Sequence, residues 1–172
     1  EWSNQRSTGE NYAVVCYLSQ YGFCDRLSQA IAHGIGKANA QVQLVDLIAS
    51  DTQELSALIS EASAVVVPTW PIKSDSELQS NIGTLLVSLK QKQWVATYDS
   101  YGGNEEPIDF ITNQLRKLGQ KEAFKPLRVR DEPNKSVYQQ FEEAGTDLGQ
   151  ILTRKKNLAA TKSLDGDLNK AL

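Results

Sequence analysis

Residues 12–38 read YAVVCYLSQYGFCDRLSQAIAHGIGKA and contain two hydrophobic patterns in succession. Residues 12–18 form a continuous apolar run, which is typical of a strand buried on both faces. Apolar residues then recur at helical spacing, which places them along one face of a helix. The loop between the two patterns, residues 19–24, therefore joins a buried strand to the N-terminus of a helix.

The same alternation continues along the chain. Further apolar runs occupy residues 42–47, 64–68, 94–98 and 124–130, and a segment of helical period follows each of them. Five strands that alternate with five helices predict a parallel sheet with helices on both faces. The first and third runs are apolar throughout, as in central strands, whereas the second and fifth interleave polar residues, as at sheet edges. This pattern favours a doubly wound α/β fold of strand order 2-1-3-4-5.

Composition limits the classes of function. The chain has 172 residues, 40% of them hydrophobic and 23% charged, which is typical of a single globular domain. The net charge of −3 argues against binding to nucleic acid or an anionic membrane, because both need a basic patch. No apolar run approaches the ~20 residues that cross a bilayer, so we expect no membrane insertion. Two cysteines cannot form a disulfide framework, which favours a cytoplasmic location.

The ends of the chain differ from its middle. We interpret residues 1–11, which are polar, as a tail or linker and residues 12–154 as the folded domain. Beyond residue 154 the hydrophobic stripe fades, so residues 155–172 are interpreted as a linker toward a missing domain. Because the chain contains no Met, we expect that it is either processed or excised from a longer polypeptide, and we favour excision. The single His33 shares a polar helix face, and we assign no catalytic or metal-binding residue to the chain.

A ligand site is expected at the carboxyl ends of the strands, where the strand order reverses between the first and third strands. Residues 19–24, 69–74 and 99–105 form the loops that meet there. Gly22 permits a tight turn into a helix N-terminus, and the Ser19 hydroxyl can donate to a phosphate oxygen. Trp70 and Tyr101 offer flat faces on either side of a ring system. Together these features predict a site for flavin mononucleotide, FMN.

Other motifs have simpler interpretations. Gly34 and Gly36 resemble part of a dinucleotide fingerprint but fall late in a helix, so close helix packing is preferred. Cys16 lies in a buried strand and is expected to be inert packing. Cys24 begins a helix, a position that lowers the pKa of a thiol, but no base is apparent nearby and no catalytic thiol is proposed.

Four segments carry a family resemblance: SQYGFCDRLSQAIAHGI, DSYGGNEEPID, KSVYQQFEEAGTDLGQ and KSLDGDLNKAL. They resemble the flavodoxin-like domain of flavodiiron proteins (A-type flavoproteins), and most closely that of the cyanobacterial diflavin flavoproteins. The resemblance extends from Tyr12 to the end of the chain. It implies a non-covalently bound FMN that relays electrons from a C-terminal NAD(P)H-dependent flavin-reductase domain to an N-terminal diiron domain that reduces dioxygen to water.

The resemblance also implies what lies outside this fragment. The diiron and flavin-reductase domains would belong to the same polypeptide, and the full-length protein would be an oligomer. The isolated fragment is expected to have no turnover of its own, and FMN is expected to bind it weakly or be lost from it.

By position, the resemblance assigns one loop to the phosphate, one to the outer side of the flavin, and one to its other face and edge. In that order the residues are Ser19, Gln20, Tyr21, Gly22, Phe23 and Cys24; Thr69, Trp70, Pro71, Ile72 and Lys73; and Ser100, Tyr101, Gly102 and Gly103. Two residues depart from the family pattern. Cys24 replaces a hydroxyl donor by a weak thiol donor, and Asp25 places a carboxylate beside the phosphate. Further acidic residues near the site would lower the flavin potential: Asp75, Asp99, Glu105 and Glu106.

The alternative is a cofactor-free interaction or dimerisation module on the same fold, since a fold alone does not determine function. A phosphorelay receiver shares the strand order but needs acidic residues after the first strand and a phosphoacceptor Asp after the third. Ser19 and the pair Pro68–Thr69 occupy those positions, which excludes a receiver.

Overall fold

A computed structural model describes residues 11–19, 22–69, 76–101 and 110–170 of the chain. In chain order these form β1 (Tyr12–Tyr17), α1 (Cys24–Lys37), β2 (Gln41–Asp46), α2 (Thr52–Glu61), β3 (Ala64–Thr69), α3 (Ser76–Ser88), β4 (Trp94–Tyr101), α4 (Phe110–Lys117), β5 (Lys121–Glu122), β6 (Leu127–Arg130) and α5 (Lys135–Lys170).

The strands form one parallel sheet of order β2-β1-β3-β4-β5, in which β6 also pairs with β4. The predicted order 2-1-3-4-5 is therefore confirmed. The burial pattern agrees with it, because residues 13–16 of β1 and 64–69 of β3 are all buried. On the edge strands β2 and β6, by contrast, Val45 and Val129 are the buried residues. Charged and polar side chains thus occupy the edges, where water reaches them.

The prediction of one continuous fifth strand over residues 124–130 is wrong. Two short strands replace it, and each pairs with a different part of β4: Lys121 lies opposite Trp94, and Leu127 lies opposite Tyr98. Pro126 lies in the gap between them and has no amide hydrogen to donate to a neighbouring strand. The edge of the sheet is therefore interrupted where that donor is missing.

Local signals at helix ends behave as expected. The Asp51 carboxylate caps α2 by accepting hydrogen bonds from the amides of Gln53, at 2.9 Å, and Glu54, at 3.2 Å. Gly119 follows α4 with a φ of +71°, the left-handed conformation that ends many helices. Pro107, a residue type that favours the first turn of a helix and here predicts the start of α4, lies outside the described residues.

Helices α1 and α5 pack against each other at the level of their backbones. A methyl group added at Gly34 would collide with the Glu142 carbonyl oxygen, and one at Gly145 with that of Ile31. One added at Gly149 would lie 2.8 Å from the Ile35 carbonyl oxygen. Nothing lies within 4 Å of the same position at Gly36. Close packing is therefore confirmed for Gly34 and does not apply to Gly36.

The sequence predicts a stripe along α5 formed by Val137, Phe141, Ala144, Leu148, Ile151 and Leu152. All of these are buried except Val137 and Ile151, which are partly exposed. The helix then continues without a break to Lys170. The segment interpreted as a linker is thus helical through residue 170, and its role as a connection stays a prediction. Among the helices of the described chain, none has both the length and the apolar character needed to cross a membrane.

Candidate functional site

The candidate site lies at the edge where β1, β3 and β4 end and where the strand order reverses between β1 and β3. Sheets of this kind bind ligands at that point. Seven of the predicted site residues are described there: Ser19, Gly22, Phe23, Cys24, Thr69, Ser100 and Tyr101.

The turn between β1 and α1 lies directly against the end of β4. Gly22 has a φ of +51°, a conformation that side chains disfavour, and a methyl group there would lie 3.1 Å from Ser100 Oγ. The amide of Phe23 donates to Ser100 Oγ at 3.4 Å. Two of the three predicted loops are thus in contact through Gly22, Phe23 and Ser100.

The N-terminus of α1 has no capping side chain. Phe23 occupies the cap position, and its phenyl group cannot accept a hydrogen bond from the first helical amides. The Asp25 carboxylate accepts from the amide of Arg26 at 2.8 Å. Because the cap residue supplies no acceptor and a glycine turn leads into the helix, this end of α1 is a favourable position for an anion.

Ser19 is held by its backbone while its side chain remains exposed. Its amide donates to Asp46 Oδ1 at 3.4 Å, and the same oxygen accepts from the amide of Ile48 at 3.0 Å. Asp46, at the end of β2, therefore fixes the point where the chain leaves β1. Sequence reasoning missed this residue; the available signal was an acidic residue that ends an edge strand.

The expectation of a low pKa at Cys24 is wrong. The side chain is 2% exposed and belongs to the hydrophobic core. Burial, together with the negative charges of Asp99 and Asp25, raises its pKa to about 12. Its thiol therefore faces the protein and not the proposed phosphate, so that only its backbone amide is available at the helix start. Cys16 is buried with a pKa of about 12, as expected for inert packing.

Tyr98 contacts the backbone on both sides of the turn between β1 and α1. Its hydroxyl donates to the Cys16 carbonyl at 2.6 Å and lies 3.5 Å from the Cys24 carbonyl. Its ring contacts Phe141 of α5 edge-on, with 6.2 Å between the ring centres. One buried side chain thus links β4 to the end of β1, the start of α1 and α5. Sequence reasoning counted Tyr98 only as the end of an apolar run.

The end of β4 also contains a buried carboxyl group. Asp99 is 2% exposed, and neither of its oxygens has a hydrogen-bond partner of ordinary geometry within the described chain. Burial raises its pKa to about 6; the charge of Arg128, the Thr69 hydroxyl and the Ser100 amide limit the rise. The sequence analysis counted Asp99 as a charge near the site, without its burial.

The flanking aromatic contacts stay a prediction. Tyr101 is half-buried at the end of β4. Thr69, at the end of β3, is buried, and its hydroxyl donates to the Tyr98 carbonyl at 3.5 Å. The other predicted residues lie outside the described part of the chain: Gln20, Tyr21, Trp70, Pro71, Ile72, Lys73, Gly102 and Gly103. The acidic residues Asp75, Glu105 and Glu106 lie outside it as well.

Comparison with known proteins identifies this arrangement. The sequence pattern of the flavodoxin family matches residues 15–145. The chain belongs to the flavodoxin family. The sequence is 44% identical to diflavin flavoprotein A 1 of Synechocystis sp. over 99% of this chain and 30% of that protein. The chain thus spans about 30% of the length of this curated relative, and 28–30% of the length of three further relatives from Nostoc sp..

Solved structures agree with the sequence comparison. A flavodoxin-like domain from Synechococcus sp. is 46% identical with a TM-score of 0.77; the match covers 83% of this chain and 99% of that one. A flavodiiron core from Synechocystis sp. is 29% identical with a TM-score of 0.76; the match covers 86% of this chain and 37% of that one. The expected relationship to diflavin flavoproteins is confirmed.

The described residues fit a phosphate-bearing flavin. The turn at Gly22 has little room for a side chain, the cap residue of α1 supplies no acceptor, and the exposed Ser19 provides a hydroxyl in the same turn. These are backbone and hydroxyl donors, which are the groups that bind a phosphate at a helix N-terminus. Within the described residues, the carboxylates of Asp99 and Asp25 both lie near the start of α1 and oppose a negative ligand.

Proposed function

We propose that this chain is the FMN-carrying electron-transfer domain of a larger NAD(P)H:oxygen oxidoreductase. In this proposal, electrons come from a flavin-reductase domain and pass to a diiron site that reduces dioxygen to water. Both partner domains belong to the parent polypeptide and lie outside these residues. The share of about 30% that the chain takes of its curated relatives supports a parent with further domains.

The observation that carries the proposal is the uncapped N-terminus of α1, reached through Gly22 at the point where strand order reverses. A bound FMN would accept and release electrons at its ring system. The chain's own part is to bind and orient it. The backbone amides at the start of α1 and the Ser19 hydroxyl would hold the phosphate, while Ser100 keeps the Phe23 amide and its turn in position.

The remaining assignments extend this proposal. Trp70 and Tyr101 would flank the ring, with Gln20 and Tyr21 beside the phosphate. The other two loops, residues 69–73 and 100–103, would surround the flavin. Residues 12–154 would form the functional domain, and α5 would continue from it toward the next domain. A cytoplasmic location is part of the proposal, and it accords with two cysteines that are both free thiols.

Titration of the purified chain with FMN and with riboflavin tests the proposal. We expect a shift in flavin absorbance and quenching of flavin fluorescence, with tighter binding of FMN, because only FMN carries the phosphate. Ser19→Ala should weaken FMN binding and leave riboflavin binding unchanged, since a hydrogen bond to a charged group contributes about 1.5–3 kcal/mol. If neither flavin changes its spectrum, the proposal fails and a cofactor-free interaction module becomes the better assignment.

The ring contacts are tested separately with Trp70→Ala and Tyr101→Ala. Each aromatic contact contributes about 0.5–1.5 kcal/mol beyond burial, so each variant should bind FMN and riboflavin more weakly by a similar factor. Unchanged affinity in both variants would remove the ring assignment and leave the phosphate assignment standing. The chain alone should not oxidise NAD(P)H, whereas its bound FMN should be reduced by dithionite.

A further inference from the structure

Asp99 is a buried acidic residue at the edge of the candidate site. It lies at the carboxyl end of β4, only 2% of its surface is exposed, and both carboxylate oxygens lack a partner of ordinary geometry in the described chain. A buried carboxylate normally has several hydrogen bonds or an ion pair, because its desolvation is otherwise costly. The ionised form of Asp99 is therefore destabilised in the folded chain.

The groups around Asp99 partly favour its ionised form. Thr69 of β3 and Arg128 of β6 lie directly opposite it in the sheet. Arg128 is the charged neighbour that acts most strongly on it, followed by the Thr69 hydroxyl and the Ser100 amide. From α1, Cys24 lies within reach of its charge and is a neutral thiol, and Asp25 acts on the same thiol. Six further ionisable residues belong to the sequence segments that follow β3 and β4, and their side chains are not described: Lys73, Asp75, Glu77, Glu105, Glu106 and Asp109.

Asp99 is coupled to the turn that would hold the phosphate. Its neighbour Ser100 accepts the amide of Phe23 at 3.4 Å, and Ser100 Oγ lies 3.1 Å from the position of a methyl group on Gly22. The charge of Asp99 also raises the pKa of Cys24, the first residue of α1. A negative ligand at this turn would therefore be near a second negative charge, and each would disfavour the other.

We propose that Asp99 takes up a proton from solvent when an anionic flavin phosphate binds at the turn between β1 and α1, so that its carboxyl group sets the pH dependence of binding. This inference rests on the proposed function. Neutralisation removes the repulsion between the two anions and also the cost of burying a charge. No other reactant is needed, because the proton comes from water or buffer.

The sign of the effect follows from linkage. With a pKa of about 6 the free carboxyl group is mostly ionised at pH 7, and a bound anion raises that pKa further. Binding at pH 7 is then accompanied by proton uptake, and affinity rises as the pH falls toward 6. The phosphate of FMN has its own second pKa near 6 and acts in the opposite direction. Asp99→Asn removes only the protein's contribution, so the difference between wild type and variant isolates it.

Isothermal titration calorimetry at pH 7, in two buffers with different ionisation enthalpies, measures the number of protons taken up. We expect wild type to take up a larger fraction of a proton per FMN than Asp99→Asn does. The dissociation constant of FMN should be roughly tenfold larger for wild type than for Asp99→Asn at pH 8, because a shift of one pKa unit on binding corresponds to a factor of ten. At pH 5 the two dissociation constants should be nearly equal. Asp147→Asn, which removes an exposed carboxylate of α5 away from this turn, is the control for the loss of one negative charge.

Riboflavin and a second substitution make the test complete. Riboflavin has no phosphate, so its binding should involve no proton uptake by Asp99. Asp99→Ser provides a second neutral variant if Asp99→Asn does not fold. Equal proton counts in wild type and the neutral variant, or equal uptake with riboflavin, would overturn the role of Asp99 while leaving FMN binding intact. If FMN does not bind at all, the proposed function and this inference both fail.

Discussion

The two ends of helix α1 differ in almost every physical respect. Its C-terminal half packs against α5 through Gly34, Gly145 and Gly149, and the two backbones touch there. Its N-terminal end meets the sheet edge, where a glycine has a positive φ, the cap residue supplies no acceptor and Asp99 is buried. Close packing is concentrated at one end of α1, whereas the other end combines a turn that suits an anionic ligand with a buried carboxyl group that opposes one.

The largest effect is expected from filling the contact between α1 and α5. Gly145→Ala would place a methyl group against the Ile31 carbonyl, and neither backbone can move without separating the helices. Overpacking of this kind costs about 1–3 kcal/mol and here reaches the upper end or beyond. Urea denaturation measures the loss in free energy of unfolding.

Gly36→Ala is the matched control for that substitution, because Gly36 is helical and has open space around it. It should stabilise the domain by up to about 1 kcal/mol, since alanine is the better helix former. Similar free energies of unfolding for Gly145→Ala and Gly36→Ala would show that the backbones of α1 and α5 are not tightly packed at this contact.

The next effect concerns the cost of burying Asp99. Because its pKa is raised from 3.8 to about 6 on folding, the folded state binds the proton more tightly, and the free energy of unfolding should fall as pH rises from about 4 to about 6. Each pKa unit corresponds to about 1.4 kcal/mol. The free energy of unfolding of Asp99→Asn, relative to that of wild type, should therefore be about 1–3 kcal/mol higher at pH 8 than at pH 4. Urea denaturation at both pH values checks this gain. The exposed carboxylate of Asp131 provides a control, and Asp131→Asn should show no such gain.

A smaller effect separates strain from binding at the turn. Gly22→Ala and Gly119→Ala both place a side chain at a positive φ, which costs about 1–2 kcal/mol. Both variants should lose similar stability in urea denaturation. Only Gly22→Ala should also weaken FMN binding, by about tenfold, because Ser100 and the Phe23 amide must then shift. Equal FMN affinity in the two variants would contradict a role for this turn in binding.

The smallest effect is expected on the surface of the helix contact. Glu142 of α5 pairs with Lys37 and with His33, the latter at 3.3 Å, and the hydrogen bonds from these groups lower its pKa. Its contribution should be present above pH 4.5 and be lost as the pH falls through the lowered pKa. Glu142→Gln should therefore change the urea midpoint less than Gly145→Ala, Asp99→Asn or Gly22→Ala does. The change should be smaller still in high salt. A loss as large as that of Gly145→Ala would show that charge, and not backbone packing, holds the helices together.

The sheet order could be predicted because continuous and interrupted apolar runs differ visibly in the sequence. The division of the last strand could not, since the missing amide of Pro126 matters only once β4 is its neighbour. The inward direction of Cys24 could have been predicted from spacing, since Cys24 lies three residues before Leu27 on the buried face of α1. Asp99 resembles an ordinary acidic residue at a strand end, and its burial depends on segments distant in the sequence. The fading stripe after residue 154 did not predict that α5 continues.

The bond between the Tyr98 hydroxyl and the Cys16 carbonyl has a consequence for folding order. It joins residues 82 positions apart, and the ring contact to Phe141 spans a further part of the chain. Contacts of such long range form late, because the entropy of closing the intervening loops must be overcome first. During synthesis, the turn after β1 emerges early but is held in place only after β4 and then α5 have followed. The proposed binding turn should therefore be among the last parts of the domain to acquire its final shape.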